Sequence, residues 1–333
     1  MKKSSFLLLP ALFAWVMCTA QTTTIRGFVD VNTIMQNKKV SFNLGEQDLF
    51  INSELNDRFT FLGESVFKFS VNSPTTFDVS IERIVLKYNI AGNHNLLIGK
   101  HHTPLNYWND TYHHGRVFFP TVGRPLLFED NIIPLHTTGF GIQGQNLGDL
   151  RFGYDFLVGN GIGSNDFMDN DRAKSITAAV HLKPVDNLRF GLSFYHDRIA
   201  AGTKVHDGHL LQKQVKQQLV SGSVAYFGKK FEWLSEATYV RDHSDTTGLQ
   251  KSIGLYAYTG LKIKEKFIPY VRFDYLHYGN GEIFFLKNNA TSVTAGIRYA
   301  INYLAVVKLE YQQQHRTITG DINKLSAQVA IGF

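Results

Sequence analysis

The chain has 333 residues, with 34 Lys and Arg against 28 Asp and Glu, a formal net charge of +6, and 13% aromatic residues. A mildly basic balance without any run of Lys or Arg argues against a nucleic-acid partner. A mean hydropathy of −0.14 beside 26 Phe and 15 Tyr fits strands that are half apolar and half wet, and no apolar run beyond the N-terminus approaches a membrane helix.

Met1-Lys2-Lys3 is a basic start, Phe6 to Val16 is an apolar stretch, and Cys18-Thr19-Ala20 places small residues before Gln21. This predicts a secretory signal peptide over residues 1–20, cleaved after Ala20. An N-terminal membrane helix would need roughly 20 apolar residues, and Pro10 interrupts a shorter run. Lipidation at Cys18 is disfavoured by the bulky Met17 before it. Cleavage removes the single Cys, so thiol, disulfide and haem-thioether chemistry are excluded from the mature chain and no cofactor is expected.

Residues 21–333 read as one domain. Period-2 alternation bounded by turn residues predicts strands near 25–34, 46–54, 58–69, 76–90, 93–101, 137–146, 149–160, 173–183, 187–199, 216–228, 230–242, 249–263, 266–278, 290–301, 303–315 and 323–333. That makes sixteen; poor alternation in 46–54 and a change of face near Glu82-Arg83 leave fourteen open. Leu188, Phe190, Leu192 and Phe194 alternate with Arg189, Ser193, Tyr195 and Asp197. Tyr303, Ala305, Val307, Leu309 and Tyr311 alternate with Lys308, Glu310 and Gln312, so one face suits lipid and the other water.

Tight connections near 146–149, 183–187, 228–230, 264–266 and 301–303 alternate with mostly longer ones near 35–45, 102–136, 160–172, 200–215, 243–248, 279–289 and 316–322. Short periplasmic turns and long outer loops are the pattern of a transmembrane antiparallel β-barrel. Lipid cannot satisfy an open strand edge, so the first strand must pair with 323–333. At about sixteen strands the interior is too wide for side chains to fill and leaves an aqueous channel. The expected location is the outer membrane of a Gram-negative bacterium, in contact with its lipid.

The longest connection, His101 to Thr137, contains His102-Thr-Pro-Leu-Asn-Tyr-Trp-Asn109, His113-His114-Gly115, Arg124-Pro125, Glu129-Asp130 and Pro134-Leu-His-Thr-Thr-Gly139. This block resembles that of outer-membrane porins of Bacteroidetes and related bacteria, similar to the phosphate-selective porin group. The final strand, ending on Phe333, resembles the C-terminal signature that the barrel-assembly machinery reads. The resemblance covers the mature chain in architecture, with its specific motifs in this one loop. It implies a homotrimeric, sixteen-stranded diffusion porin with the third outer loop folded into the pore and does not settle the solute; small anionic or neutral solutes are the expected partners.

The residues expected at the constriction are Lys100, His101, His102, His113, His114, Arg116, Arg124, Glu129 and Asp130. Arg116, Arg124 and Lys100 are the candidates for anion attraction, because a cation in a narrow low-dielectric passage is poorly screened. Tyr107, Trp108, Phe118 and Phe119 are expected to pack the loop. The histidines, with Asp110, Glu129 and Asp130, have the right ligand types for a metal, but adjacent His side chains diverge on extended backbone, so no metal is expected. Alternation turns Arg151, Asp155, Lys183, Arg189, Asp197, Glu232, Glu236, Lys262, Arg272, Asp274, Arg298, Lys308 and Glu310 toward the lumen. Both signs occur, which predicts weak anion preference at most and speaks against a dedicated phosphate channel. An outer-membrane enzyme would need a rim constellation. His196-Asp197, His206-Asp207 and Asp242-His243 have the residue types, but neighbours on a strand face opposite ways and no G-x-S-x-G accompanies them, so no enzyme is expected. A plugged receptor or structural barrel is the other alternative.

Overall fold

The structure, a computed structural model, describes residues 21–70, 77–113, 115–164, 168–205, 208–285 and 288–333. The expected signal peptide, His114 and the pair His206-Asp207 lie outside the described residues. Among the described residues sixteen antiparallel strands close into one barrel. They are β1 (Thr22–Gln36), β2 (Lys39–Glu54), β3 (Phe59–Phe69), β4 (Phe77–Ala91), β5 (His94–His102), β6 (His136–Leu147), β7 (Phe152–Gly159) and β8 (Ser175–Leu182). The second half comprises β9 (Leu188–Ile199), β10 (Val215–Phe227), β11 (Phe231–Ser244), β12 (Gly248–Leu261), β13 (Phe267–His277), β14 (Ala290–Asn302), β15 (Ala305–Arg316) and β16 (Gly320–Gly332).

Each strand pairs with its sequence neighbours, and β16 returns to β1 from Phe28↔Gly332 to Gln36↔Lys324. Beyond that ladder Gly27 and Phe333 exchange both backbone hydrogen bonds at 2.9 Å. No edge is left for lipid to strip of partners. Alternation fixes the faces as read: Val307, Leu309 and Tyr311 are exposed on the outer wall, while Lys308, Glu310 and Gln312 are buried inside.

The strands match the expected sixteen one for one, which removes the count of fourteen. Three outer connections are shorter than expected. Between β1 and β2 only Asn37 and Lys38 intervene, with φ of 50° and 62°, and β2 starts at Lys39 rather than near 46. Paired positive φ values twist with the strands and make a two-residue hairpin turn. The connections at 245–247 and 317–319 are also short, so length alternation is carried by the remaining outer loops. The change of face near Glu82-Arg83 is a β-bulge: the register with β3 shifts between Glu64 and Ser65, and Glu82 is the extra residue.

The β5–β6 connection folds back into the barrel through two short helices, α1 (Tyr107–Tyr112) and α2 (Leu126–Glu129). Its Leu105, Trp108, Phe119, Leu126, Leu127 and Phe128 form one buried cluster with Tyr195, Leu219, Leu234, Tyr256, Tyr270 and Leu276 from the inner faces of β9 to β13. The apolar core therefore lies inside the barrel, between loop and wall. Side chains of a sixteen-stranded wall cannot fill its interior alone, and the loop supplies the missing volume on that side.

Candidate functional site

The loop is held by charged groups of the wall at the places where its backbone polarity is unsatisfied. Helix α1 has no side-chain cap of its own. Glu236 on β11 accepts the backbone N–H groups of Tyr107 (2.5 Å) and Trp108 (2.9 Å) instead, so a wall carboxylate caps a loop helix. Asp274 on β13 does the same for α2, accepting Leu126 N–H at 3.0 Å. Arg272 pairs with Asp274 at 2.8 Å and donates to Thr121 Oγ1 (2.7 Å), Gly123 O (2.9 Å) and Arg124 O (3.1 Å). Lys308 donates to Arg116 O (2.7 Å) and Thr121 O (3.1 Å), while Glu310 accepts Val122 N–H at 2.8 Å. Arg316 forks onto Asp130 with two bonds of 2.8 Å.

These contacts correct the expected lining. Arg272, Asp274, Lys308 and Glu310 point inward but are buried beneath the loop, where they anchor it. Arg189 pairs with Asp110 of the loop at 2.8 Å. Arg298 and Lys262 converge on Glu232 at 2.8 and 3.3 Å. Arg151 is not on the wall: it stands in the β6–β7 turn, paired with Asp186 at 2.9 Å, because β7 starts only at Phe152. Lys100 is misplaced too. It pairs in register with Ile84 and shares the outward parity of Ile98, both exposed on the lipid face, and its Nζ donates to Ile81 O at 2.5 Å.

Two polar-lined vestibules flank the loop. Taking the end of the β5–β6 connection as outer, the outer vestibule is bordered by Glu46, Arg116, Arg124, Glu129 and Lys324. The inner one is bordered by Arg83, Lys87, His101, His102, Asp110 and Asp155. Beside the outer one, the loop meets the acidic wall of β2: Arg116 lies 3.4 Å from Glu46, and Gly115 N–H donates to Asp48 at 3.2 Å. Arg124 Nη2 donates to His113 O at 2.5 Å, and burial beside Arg116 lowers its pKa from the usual value. Of the expected constriction residues, Arg116, Arg124 and Glu129 thus face the outer vestibule, and His101 and His102 the inner one. Asp130 is turned away, buried against Arg316 and Tyr278.

The fold also gathers histidines that the spacing kept apart. His102, His113 and His136 present ring nitrogens that all lie within 4.8 Å of one another, beside Glu82 and Glu64. Sequence reading missed His136, Glu46, Asp48, Glu64 and Glu82 as site residues. The one available signal was the face change at Glu82-Arg83, which marks the bulge that turns Glu82 inward. Asp197 and Asp242 are buried inside, whereas His196 and His243 follow the opposite parity.

No family model matches the chain, and no curated protein matches its sequence. Solved structures do match. The trimer form of in-vitro folded OmpT, an outer membrane protein of Vibrio cholerae, aligns at 13% identity with a TM-score of 0.68, covering 94% of this chain and 100% of that one. An anion-selective porin from Comamonas acidovorans aligns at 10% identity and TM-score 0.68, with 94% and 100% covered. Salmonella typhi OmpF in complex with daunomycin aligns at 10% and 0.66, with 93% and 97% covered. At these identities the likeness is one of fold: a closed sixteen-stranded barrel resembling outer-membrane proteins of Gram-negative bacteria.

Proposed function

We propose that this barrel is an outer-membrane porin, a passive channel for small hydrophilic solutes with weak anion preference. The observation that supports this reading is the loop fixed inside the barrel between two polar vestibules, with Arg116 and Arg124 lining the outer one. A fixed guanidinium in a passage walled by low dielectric focuses the field on passing ions. Glu46 and Asp48 stand opposite and weaken that field, so the preference for anions is small and phosphate is one small anion among several. Kinship with the Bacteroidetes-type porins rests on the loop motif. The trimer form of the Vibrio cholerae protein supports a homotrimer, inserted in lipid by the barrel-assembly machinery that reads the strand ending on Phe333.

An enzymatic role has less support, since Asp197 spends its carboxylate on Tyr195 OH (2.9 Å) and Ile162 N–H (2.8 Å) while His196 follows the lipid-facing parity. The decisive measurement is steady conductance and reversal potential of purified protein in a planar bilayer under asymmetric salt. A small anion preference is expected, reversed toward cations in Arg116→Glu/Arg124→Glu. The charge on Arg298, already neutralised by Glu232, should matter less. Absence of steady current, or a double variant with unchanged selectivity, would end the channel reading or its assignment to these arginines respectively.

A further inference from the structure

Three histidines from three different parts of the chain meet beside a buried carboxylate. His102 ends β5, His136 begins β6, and His113 follows α1 in the loop. Their rings sit 4.0 Å apart for His102 and His113, 4.5 Å for His113 and His136, and 5.4 Å for His102 and His136. Glu82, turned inward by its bulge, lies 2.8 Å from His136 Nε2 and 3.8 Å from His113 Nε2. Glu64 lies 3.6 Å from His102 Nε2 and also pairs with Arg83. We propose that His102, His113 and His136, with Glu82, form a site for a divalent first-row transition metal, Zn²⁺ foremost, that ties the inward loop to the barrel wall.

Three features carry the proposal. The first is ligand spacing. Four donors at Zn–N and Zn–O distances of about 2.1 Å in a tetrahedron stand roughly 3.4 Å apart. The ring nitrogens here lie within 4.8 Å of one another, and the Glu82 oxygen is already 2.8 and 3.8 Å from two of them.

The second feature is the tautomer of His113. Asn109 donates its amide N–H groups to Thr103 O (2.7 Å) and Leu135 O (3.1 Å), which fixes its amide oxygen toward His113 Nδ1 at 2.6 Å. An oxygen there only accepts, so Nδ1 carries a proton, and in the neutral form of the ring the Nε2 lone pair is turned toward Glu82 and the other two rings. An outer partner that orients an imidazole in this way is the usual support of a metal ligand.

The third is charge. Glu82 is buried, and a buried carboxylate needs a counter-charge. Arg124 supplies part of that charge from the loop. Protonated rings would add to it, but two imidazolium rings stacked at 4.0 Å repel each other, whereas two neutral rings sharing one dication do not. Imidazole with a carboxylate suits Zn²⁺, Co²⁺, Ni²⁺ or Cu²⁺ and disfavours Ca²⁺ and Mg²⁺, which take oxygen shells. His102 borders the inner vestibule, so the ion reaches the site from lumen water.

The test is calorimetric titration of ZnCl₂ into the full barrel, purified in detergent without an affinity tag and stripped with chelator. Folding of every variant is checked by its gel mobility before and after boiling. One Zn²⁺ per chain is expected, not displaced by Mg²⁺ or Ca²⁺. His113→Ala and His136→Ala should each weaken binding by at least about 100-fold, beyond what loss of an outer partner costs. His315→Ala, exposed near the outer end of β15 beside Asp321, should leave it unchanged. The wild-type barrel loaded with Co²⁺ should show visible absorption of tetrahedral intensity, a readout that needs no variant to fold. A wild-type barrel without one-site Zn²⁺ uptake, or one in which His315→Ala weakens binding as much as His136→Ala, overturns the site.

Discussion

Glu236 on the wall and Trp108 in the loop are joined by one hydrogen bond of 2.9 Å from the Trp108 N–H to the Glu236 carboxylate, and it substitutes for the cap that α1 lacks in its own sequence. Tyr107 N–H and Tyr256 OH donate to the same carboxylate. The wall thus positions the loop through the loop's backbone, leaving the Trp108 ring free to fill the core.

Removing that cap should loosen the loop. Glu236→Ala is expected to cost about 1–2 kcal/mol of helix capping and to raise both single-channel conductance and its noise. Glu236→Gln, which keeps one acceptor, should fall between. Planar-bilayer recordings decide this, and a conductance equal to wild type for Glu236→Ala would mean that the apolar cluster holds the loop unaided.

The Arg272/Asp274 pair should show the asymmetry of buried charges. Arg272→Ala leaves Asp274 buried without its cation and is expected to destabilise the barrel by about 3–5 kcal/mol in denaturant unfolding. The double variant Arg272→Met/Asp274→Leu should lie closer to wild type, although it still loses the α2 cap. A double variant less stable than Arg272→Ala would contradict this.

The seam between β1 and β16 predicts an assembly phenotype. Phe333 pairs with Gly27, and its ring lies where a Cβ on residue 27 would stand. Phe333→Ser should lower the amount of assembled barrel in the outer membrane while leaving the conductance of assembled channels unchanged. Normal surface levels would remove the role given to that residue.

A closed wall in which every strand is bonded on both sides should resist detergent until heated. Boiled and unboiled samples are therefore expected to migrate differently on a denaturing gel. Identical mobility would be incompatible with the barrel.

The wall was readable from the chain because a barrel strand writes its environment at every second residue, as Leu188 to Phe194 and Tyr303 to Tyr311 do. The β1–β2 turn was not, since Asn37-Lys38 lacks the glycine that usually marks a two-residue hairpin. The compactness of the loop was legible from its rings and its inward course from the resemblance its motifs carry, but its anchors were not. Nothing local to Glu236, Asp274 or Lys308 distinguishes a side chain facing water from one facing the backbone of a loop more than a hundred residues away. The histidine cluster was hidden for the same reason, as it exists only once His113 is carried back against β5 and β6.

Among the described residues fifteen of the sixteen strand pairings join neighbours in sequence; the sixteenth joins the first strand to the last. Without that ladder the wall would be a curved ribbon with two bare edges, each able to accept a strand from another copy. Closing an ordered ribbon costs less chain entropy than the roughly 5 kcal/mol that a flexible chain of some 300 residues would lose, because the other ladders already hold the residues between the ends. The contest at the seam is accordingly one of concentration: the chain's own β16 against a stranger's, with self-closure favoured for as long as few ribbons share the membrane.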